Sequence, residues 1–172
     1  SSRLPLLLTI LPPWGKPTVP IGLGYLSQQL TEAHIEHEVA DLNLEIYGAV
    51  DDELKELWRP QAGEAGADEA RFAALLERRA PQVEQAVERL AAVNAELVGF
   101  SVNQSNALLS TEVARQLRMR CPERTIVFGG LGVYVYGERR RIPPEVVDLF
   151  VMGEGEATLL EIARRAQRGQ DL

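Results

Sequence analysis

The sequence predicts an α/β protein built on a doubly wound, five-stranded parallel sheet, and three observations carry that prediction. Five short apolar runs are bounded by turn residues, and most are apolar on both faces, as expected of parallel strands covered by helices on each side. Stretches with apolar residues at helical spacing separate the runs. Glycines cluster just after two of them, at Gly129-Gly130 and at Gly153-Glu154-Gly155-Glu156, and would mark one edge of a single sheet.

The first predicted strand is Leu4 to Leu11, followed by the proline-rich loop Pro12 to Pro20. A helix follows from Ile21 to Ala33, where Leu23, Leu26 and Leu30 share a face and Pro20 suits the first turn. Glu36 to Leu42 is the second strand, and its polar residues place it nearer the sheet's margin. Residues 51–96 replace a short crossover with a helical insertion. Within it, Leu54 to Trp58 reads as a short helix and Gln61 to Ala67 as a loop. Phe72, Leu75 and Leu76, then Val83, Val87 and Leu90, read as two helices or one kinked helix, with Pro81 at the break. This insertion holds eleven acids and six bases, so it carries most of the chain's negative charge and reads as a solvated crossover with one buried stripe. Leu97 to Val102 is the third strand. The helix from Asn106 to Cys121 carries Leu109, Val113 and Leu117 on one side and stops before Pro122. Thr125 to Phe128 and Leu149 to Met152 are the last two strands, and a final helix spans about 155 to 168.

Right-handed crossovers between such strands give a flavodoxin-like sheet of order 2-1-3-4-5. The chain of 172 residues, 45% hydrophobic, suffices for one core, so residues 1–172 read as a single domain. The net charge of −7 argues against nucleic acid or an anionic membrane as principal partner. No segment approaches the roughly 20 apolar residues of a membrane span, and the first run has neither the length nor the flanks of a signal peptide, so a cytoplasmic location is expected. Cys121, the single cysteine, reads as a small buried hydrophobe at a helix end. The chain opens on Ser1 without methionine and stops just after a helical pattern, which suggests a piece of a longer protein.

In such a sheet the ligand crevice lies beyond the carboxyl ends of strands one, three and four. Pro13 and Trp14 stand in the stiff loop after strand one, where Trp14 suits either stacking on a flat ligand or capping the core. Gly22 and Gly24 open the first helix, but their spacing departs from a dinucleotide fingerprint even though Asp41 fits its acid; close helix-to-sheet packing is the expected reason for them. Ser101 ends strand three among hydrogen-bonding residues, and Ser105 or Asn106 suffices to cap the next helix, leaving Ser101 for a ligand. Arg139, Arg140 and Arg141 read as a solvated loop. His34 and His37 flank the start of strand two, at the edge away from the crevice, and are poor metal ligands or bases there.

Three segments, Pro20-Ile21-Gly22-Leu23-Gly24-Tyr25-Leu26, Val127-Phe128-Gly129-Gly130 and Asp148 to Glu156, resemble the cobalamin-binding domain at the amino terminus of cobalamin-dependent radical S-adenosylmethionine enzymes. The resemblance covers nearly the whole chain. It implies that Ser101 hydrogen-bonds the dimethylbenzimidazole end of the nucleotide tail while Gly129 and Gly130 leave room for the tail, with Pro13, Trp14, Asn103, Gly153, Glu154 and Gly155 completing the cofactor site. Asn103 stands where the wider cobalamin-binding family has the leucine of a Ser-x-Leu motif. The Asp-x-His-x-x-Gly motif that supplies a cobalt ligand after strand one in cobalamin-dependent mutases is absent, so the resemblance implies a cofactor with no histidine from this site. It also implies S-adenosylmethionine and a 4Fe-4S cluster in a downstream radical domain, the chain's expected partner, since one cysteine cannot hold a cluster that needs three. On this reading the chain alone is not an enzyme, and its parent transfers methyl groups or does related radical chemistry. Two other readings remain open: a flavodoxin-like regulatory or interaction domain with an empty crevice, and a small flavin- or nucleotide-binding enzyme.

Overall fold

The computed structural model describes residues 3–12, 20–55, 69–135 and 142–172. Its five strands are β1 (Leu4–Ile10), β2 (His37–Asp41), β3 (Ala95–Ser101), β4 (Thr125–Gly129) and β5 (Leu149–Val151). They form one sheet of order β2-β1-β3-β4-β5, every neighbouring pair parallel. The seven helices among the described residues are α1 (Ile21–Glu32), α2 (Leu42–Ala49), α3 (Asp52–Lys55), α4 (Glu69–Ala92), α5 (Ala107–Arg120), α6 (Leu131–Val135) and α7 (Glu156–Gln167).

Alternation along the strands sends side chains to two separate cores. Leu6, Leu8, Ile10, Leu97, Val127 and Val151 face one side, where Leu23 and Leu30 of α1 and Leu159 and Ala163 of α7 cover them. Leu7, Val98, Phe100, Ile126 and Phe128 face the other, against Val83, Val87 and Leu90 of α4 and Val113 and Leu117 of α5. On that second side Phe100 and Phe128 pack with centroids 5.1 Å apart, and Phe150 meets Phe128 edge-on at 6.4 Å. Cys121, the C-cap of α5, packs against the same core but is half-buried rather than buried.

Between β2 and β3 the structure adds one helix and refines two expected ones. The Asp41 carboxylate accepts a hydrogen bond from Leu44 N at 2.9 Å and caps α2, a helix not expected from the sequence, whose first residue, Leu42, reads there as the end of the strand. Where a short helix is expected from Leu54 to Trp58, α3 runs from Asp52 to Lys55; residues 56–58 and the Gln61 to Ala67 loop lie outside the described residues. Residues 69–92 form one helix with Pro81 inside it. Pro81 is exposed, so the carbonyl it leaves unbonded one turn back faces the solvent side, and the helix continues through it.

Two arginines lock the second layer. Arg124, 6% exposed, donates to the carbonyls of Leu90 (2.8 Å) and Ala91 (2.9 Å) and so satisfies the last turn of α4. Arg118 donates to the carbonyls of Pro122 and Arg124 and pairs with Asp148, whose carboxylate also accepts from Ile126 N at 2.7 Å. The approach to β5 is thereby held against the start of β4.

Candidate functional site

The register brings the ends of all five strands into one row: Asp41, Ile10, Ser101, Gly129 and Val151 are consecutive neighbours across the sheet. Ser101 and Gly129 are therefore side by side, on the parity that faces α1 and α7. A cleft of about 230 Å³ opens there, between the two helices and over the sheet. Ser101, Gly129, Gly130, Gly153, Gly155 and Glu156 line it at the carboxyl edge. One row further in, Leu8, Gly99 and Val127, again neighbours in register, form its floor.

Each small residue has its own physical reason. A Cβ on Gly129 would meet Val151 Cβ at 3.5 Å, an ordinary contact, so packing does not demand glycine there; what its missing side chain leaves is open cleft. Gly130 differs. Its φ is +106°, and a Cβ would come within 2.7 Å of Val102 O, because the loops after β3 and β4 run backbone to backbone: Val102 N donates to Gly129 O at 2.7 Å and Gly132 N to Val102 O at 2.9 Å. Gly153 takes φ +77° in the turn after β5.

Asn106 holds the row in place. Fully buried at the start of α5, it makes no side-chain cap to its own helix. Its amide donates to Leu11 O and Ser101 O, both at 3.1 Å, and its carbonyl accepts from Asn103 N at 2.8 Å. The loops after β1 and β3 are thus tied through one side chain. The Ser101 hydroxyl makes no hydrogen bond among the described residues and remains available to a bound molecule.

Other expected site residues fall elsewhere. The Asn103 side chain accepts from Ser105 Oγ (2.7 Å) and Asn106 N (2.9 Å), serving its own turn rather than lining the cleft. Glu154 is exposed, and it is Glu156 that lines the cleft. Pro13, Trp14 and the run Arg139 to Arg141 lie outside the described residues. The close packing expected of Gly22 and Gly24 is not found: a Cβ on either would meet nothing within 4 Å, and Gly22 instead leaves the cleft's α1 wall low. His37 is spent on structure at the far edge, donating from Nδ1 to Ile35 O (2.9 Å) and accepting at Nε2 from Ser27 Oγ (2.8 Å). Gly99, Asn106 and Glu156 were missed from sequence. An isolated glycine inside a strand signals a close approach to the backbone, so Gly99 was legible; the long-range bonds of Asn106 were not.

Leu131 on the cleft wall is 71% exposed, and Ile21 (86%) and Met152 (40%), next in sequence to the lining residues Gly22 and Gly153, are exposed apolar side chains too. Among the described residues no cluster of His, Cys, Asp and Glu could hold a metal ion, and no helix is long and apolar enough to cross a membrane. The cleft accordingly suits a mostly apolar organic group with one or two hydrogen-bonding points.

Residues 64–163, more than half of the chain, match the family described as the B12 binding domain. No curated protein matches the chain by sequence. Among solved structures it is similar to the radical S-adenosylmethionine methyltransferase TsrM from Kitasatospora setae. Bound to its tryptophan substrate and a SAM analog, that structure superposes with a TM-score of 0.63 at 21% identity, over 99% of this chain and 27% of that one. With cobalamin and a [4Fe-4S] cluster bound, the values are 0.60 and 19%, over 98% and 27%. The likeness at this identity is one of fold, and the chain spans about a quarter of the methyltransferase's length.

Proposed function

The chain belongs to the B12-binding domain family, and from that premise we propose that it is the cobalamin-binding module of a radical S-adenosylmethionine enzyme, holding its cofactor with no histidine on cobalt. The observation that carries this reading is the pairing of Ser101 with Gly129 in one row above an apolar cleft. A nucleotide tail needs a slot free of side chains and a hydroxyl to receive its base, and these residues provide both. The cleft is too small for a corrin ring, which would rest outside it on the exposed apolar rim of Ile21, Leu131 and Met152.

The absence of a histidine ligand is supported by the whole chain: its two histidines, His34 and His37, are in sequence just before and at the start of β2, at the edge opposite the cleft, and residues 11–20 after β1 include none. Bound cobalamin supplies a cobalt centre able to carry a methyl group between donor and acceptor. This chain's residues hold the tail, orient the ring and keep water from the buried base. S-adenosylmethionine and the cluster belong to a radical domain in the same parent protein; one cysteine here and the 27% coverage of TsrM support that division.

The test is retention. The chain is mixed with hydroxocobalamin at tens of micromolar, desalted, and its visible spectrum recorded. The expected result is a coloured protein whose spectrum shows the benzimidazole released from cobalt; a colourless one overturns the reading and leaves a domain with an empty crevice. Ser101→Ala is expected to weaken binding about fivefold, the worth of one hydrogen bond.

A further inference from the structure

We infer that the inner end of the cleft selects the terminal base of the tail, taking a methylated benzimidazole in preference to a purine; this rests on the cobalamin reading above. The cleft has two chemically distinct halves. At the mouth are its two polar side chains among the described residues, the Ser101 hydroxyl, placed to meet the free ring nitrogen of the base, and Glu156, placed to accept from the hydroxyls of the sugar. Further in there are none. The floor is Leu8, Gly99 and Val127, and the walls are Leu23 and Leu26 from α1 and Leu159 from α7.

Gly99 sets the depth. It is the one floor position without a side chain, and a Cβ there would come within 3.0 Å of Leu8 Cδ2, so any larger residue would crowd Leu8 and raise the floor. Its strand's backbone N–H and C=O groups are committed to the ladders with β1 and β4 and cannot serve a ligand. A volume of about 230 Å³ lies below the several hundred Å³ usual for whole cofactor sites, and suits the end of a tail.

A base pushed into this end must therefore hide its far edge, away from Ser101, among side chains that offer it no hydrogen bond. Dimethylbenzimidazole presents two methyl groups on that edge, which gain from burial. Adenine presents an amine and ring nitrogens, and each left without a partner opposes binding. The discrimination comes from desolvation, and needs no side chain that recognises benzimidazole.

Equilibrium dialysis of the chain against three corrinoids tests this: hydroxocobalamin, its adenine-terminated analogue, and cobinamide, which has no nucleotide tail. Hydroxocobalamin is expected to bind at least about tenfold tighter than the adenine analogue, the effect of one buried unpaired group, with the analogue no better than cobinamide. Leu26→Gln places an amide on the half-buried wall, where the fold tolerates it; with an unchanged melting midpoint, it is expected to narrow that gap at least about threefold. Equal binding of the two tailed corrinoids, both tighter than cobinamide, overturns the selection while leaving the slot. Equal binding of all three overturns a tail in the cleft but leaves corrin binding standing. Failure of all three to bind overturns the proposed function itself.

Discussion

Gly129 and Gly130 adjoin in the chain, yet the structure gives them different work. Gly130 serves the fold, with its φ of +106° and a carbonyl 2.7 Å from where a Cβ would stand; Gly129 borders the cleft, with room for a side chain. Gly130→Ala should therefore cost at least about 2 kcal/mol in urea unfolding, whatever ligand is present. Gly129→Val should leave stability within about 1 kcal/mol and abolish corrin retention after desalting. Similar losses of stability in both variants would deny the distinction. The sequence showed the pair and its place after a strand, but φ angles and neighbouring carbonyls belong to tertiary structure. Asn106 is the same lesson at one side chain: read as a helix cap, it turns out to join two loops, one of them 95 positions away. Asn106→Leu keeps the branched outline of the side chain but removes its bonds to Leu11 O, Ser101 O and Asn103 N, so it should cost about 2–4 kcal/mol and weaken corrin binding as well, because Ser101 loses its anchor.

The elements divide by where their signal lay. The strands were legible because parallel strands buried on both faces need unbroken apolar runs, and α1, α5 and α7 because their buried stripes repeat at helical spacing. The short α2 and α6 were not, since a single turn or two holds too few apolar positions to show a period. In α4 the proline argued for a break, but the buried stripe Val83, Ala86, Val87 and Leu90 and the Arg124 cap at its end keep the helix whole. Pro81→Ala restores one backbone bond on an exposed face and should raise stability by about 1–3 kcal/mol, seen as a higher urea midpoint with an unchanged slope. On α5, Glu112 is held below the ordinary carboxylate range: burial raises its pKa, but hydrogen bonds from Arg115 and Gln116 and the Arg115 charge together outweigh it. A depressed carboxylate contributes stability above its unfolded pKa and loses it as pH falls through the folded value, so Glu112→Gln should flatten the acid side of the stability profile below about pH 4.5.

At the scale of the whole molecule, the two cores separate two tasks. The α4–α5 side closes on aromatic rings and buried arginine, while the α1–α7 side is left open at one end by Gly99 and Gly129. A ligand that binds only the folded chain stabilises it by RT ln(1 + [L]/Kd), so hydroxocobalamin at a hundredfold excess over Kd should add about 2.7 kcal/mol and raise the melting temperature, whereas flavin mononucleotide should leave it unchanged. The reverse result would favour a nucleotide-binding enzyme. The sequence by itself determined the sheet, its order and the edge that carries the site, because burial imposes periodicity on local sequence and right-handed crossovers leave few topologies. Only the tertiary structure decided what that edge contains. It set Ser101 beside Gly129, uncovered Gly99 as the floor, put Glu156 rather than Glu154 on the cleft wall, and made Asp41 a helix cap and Asn103 the acceptor of its own turn. Those assignments depend on register and on contacts between residues far apart in sequence, which no local pattern records.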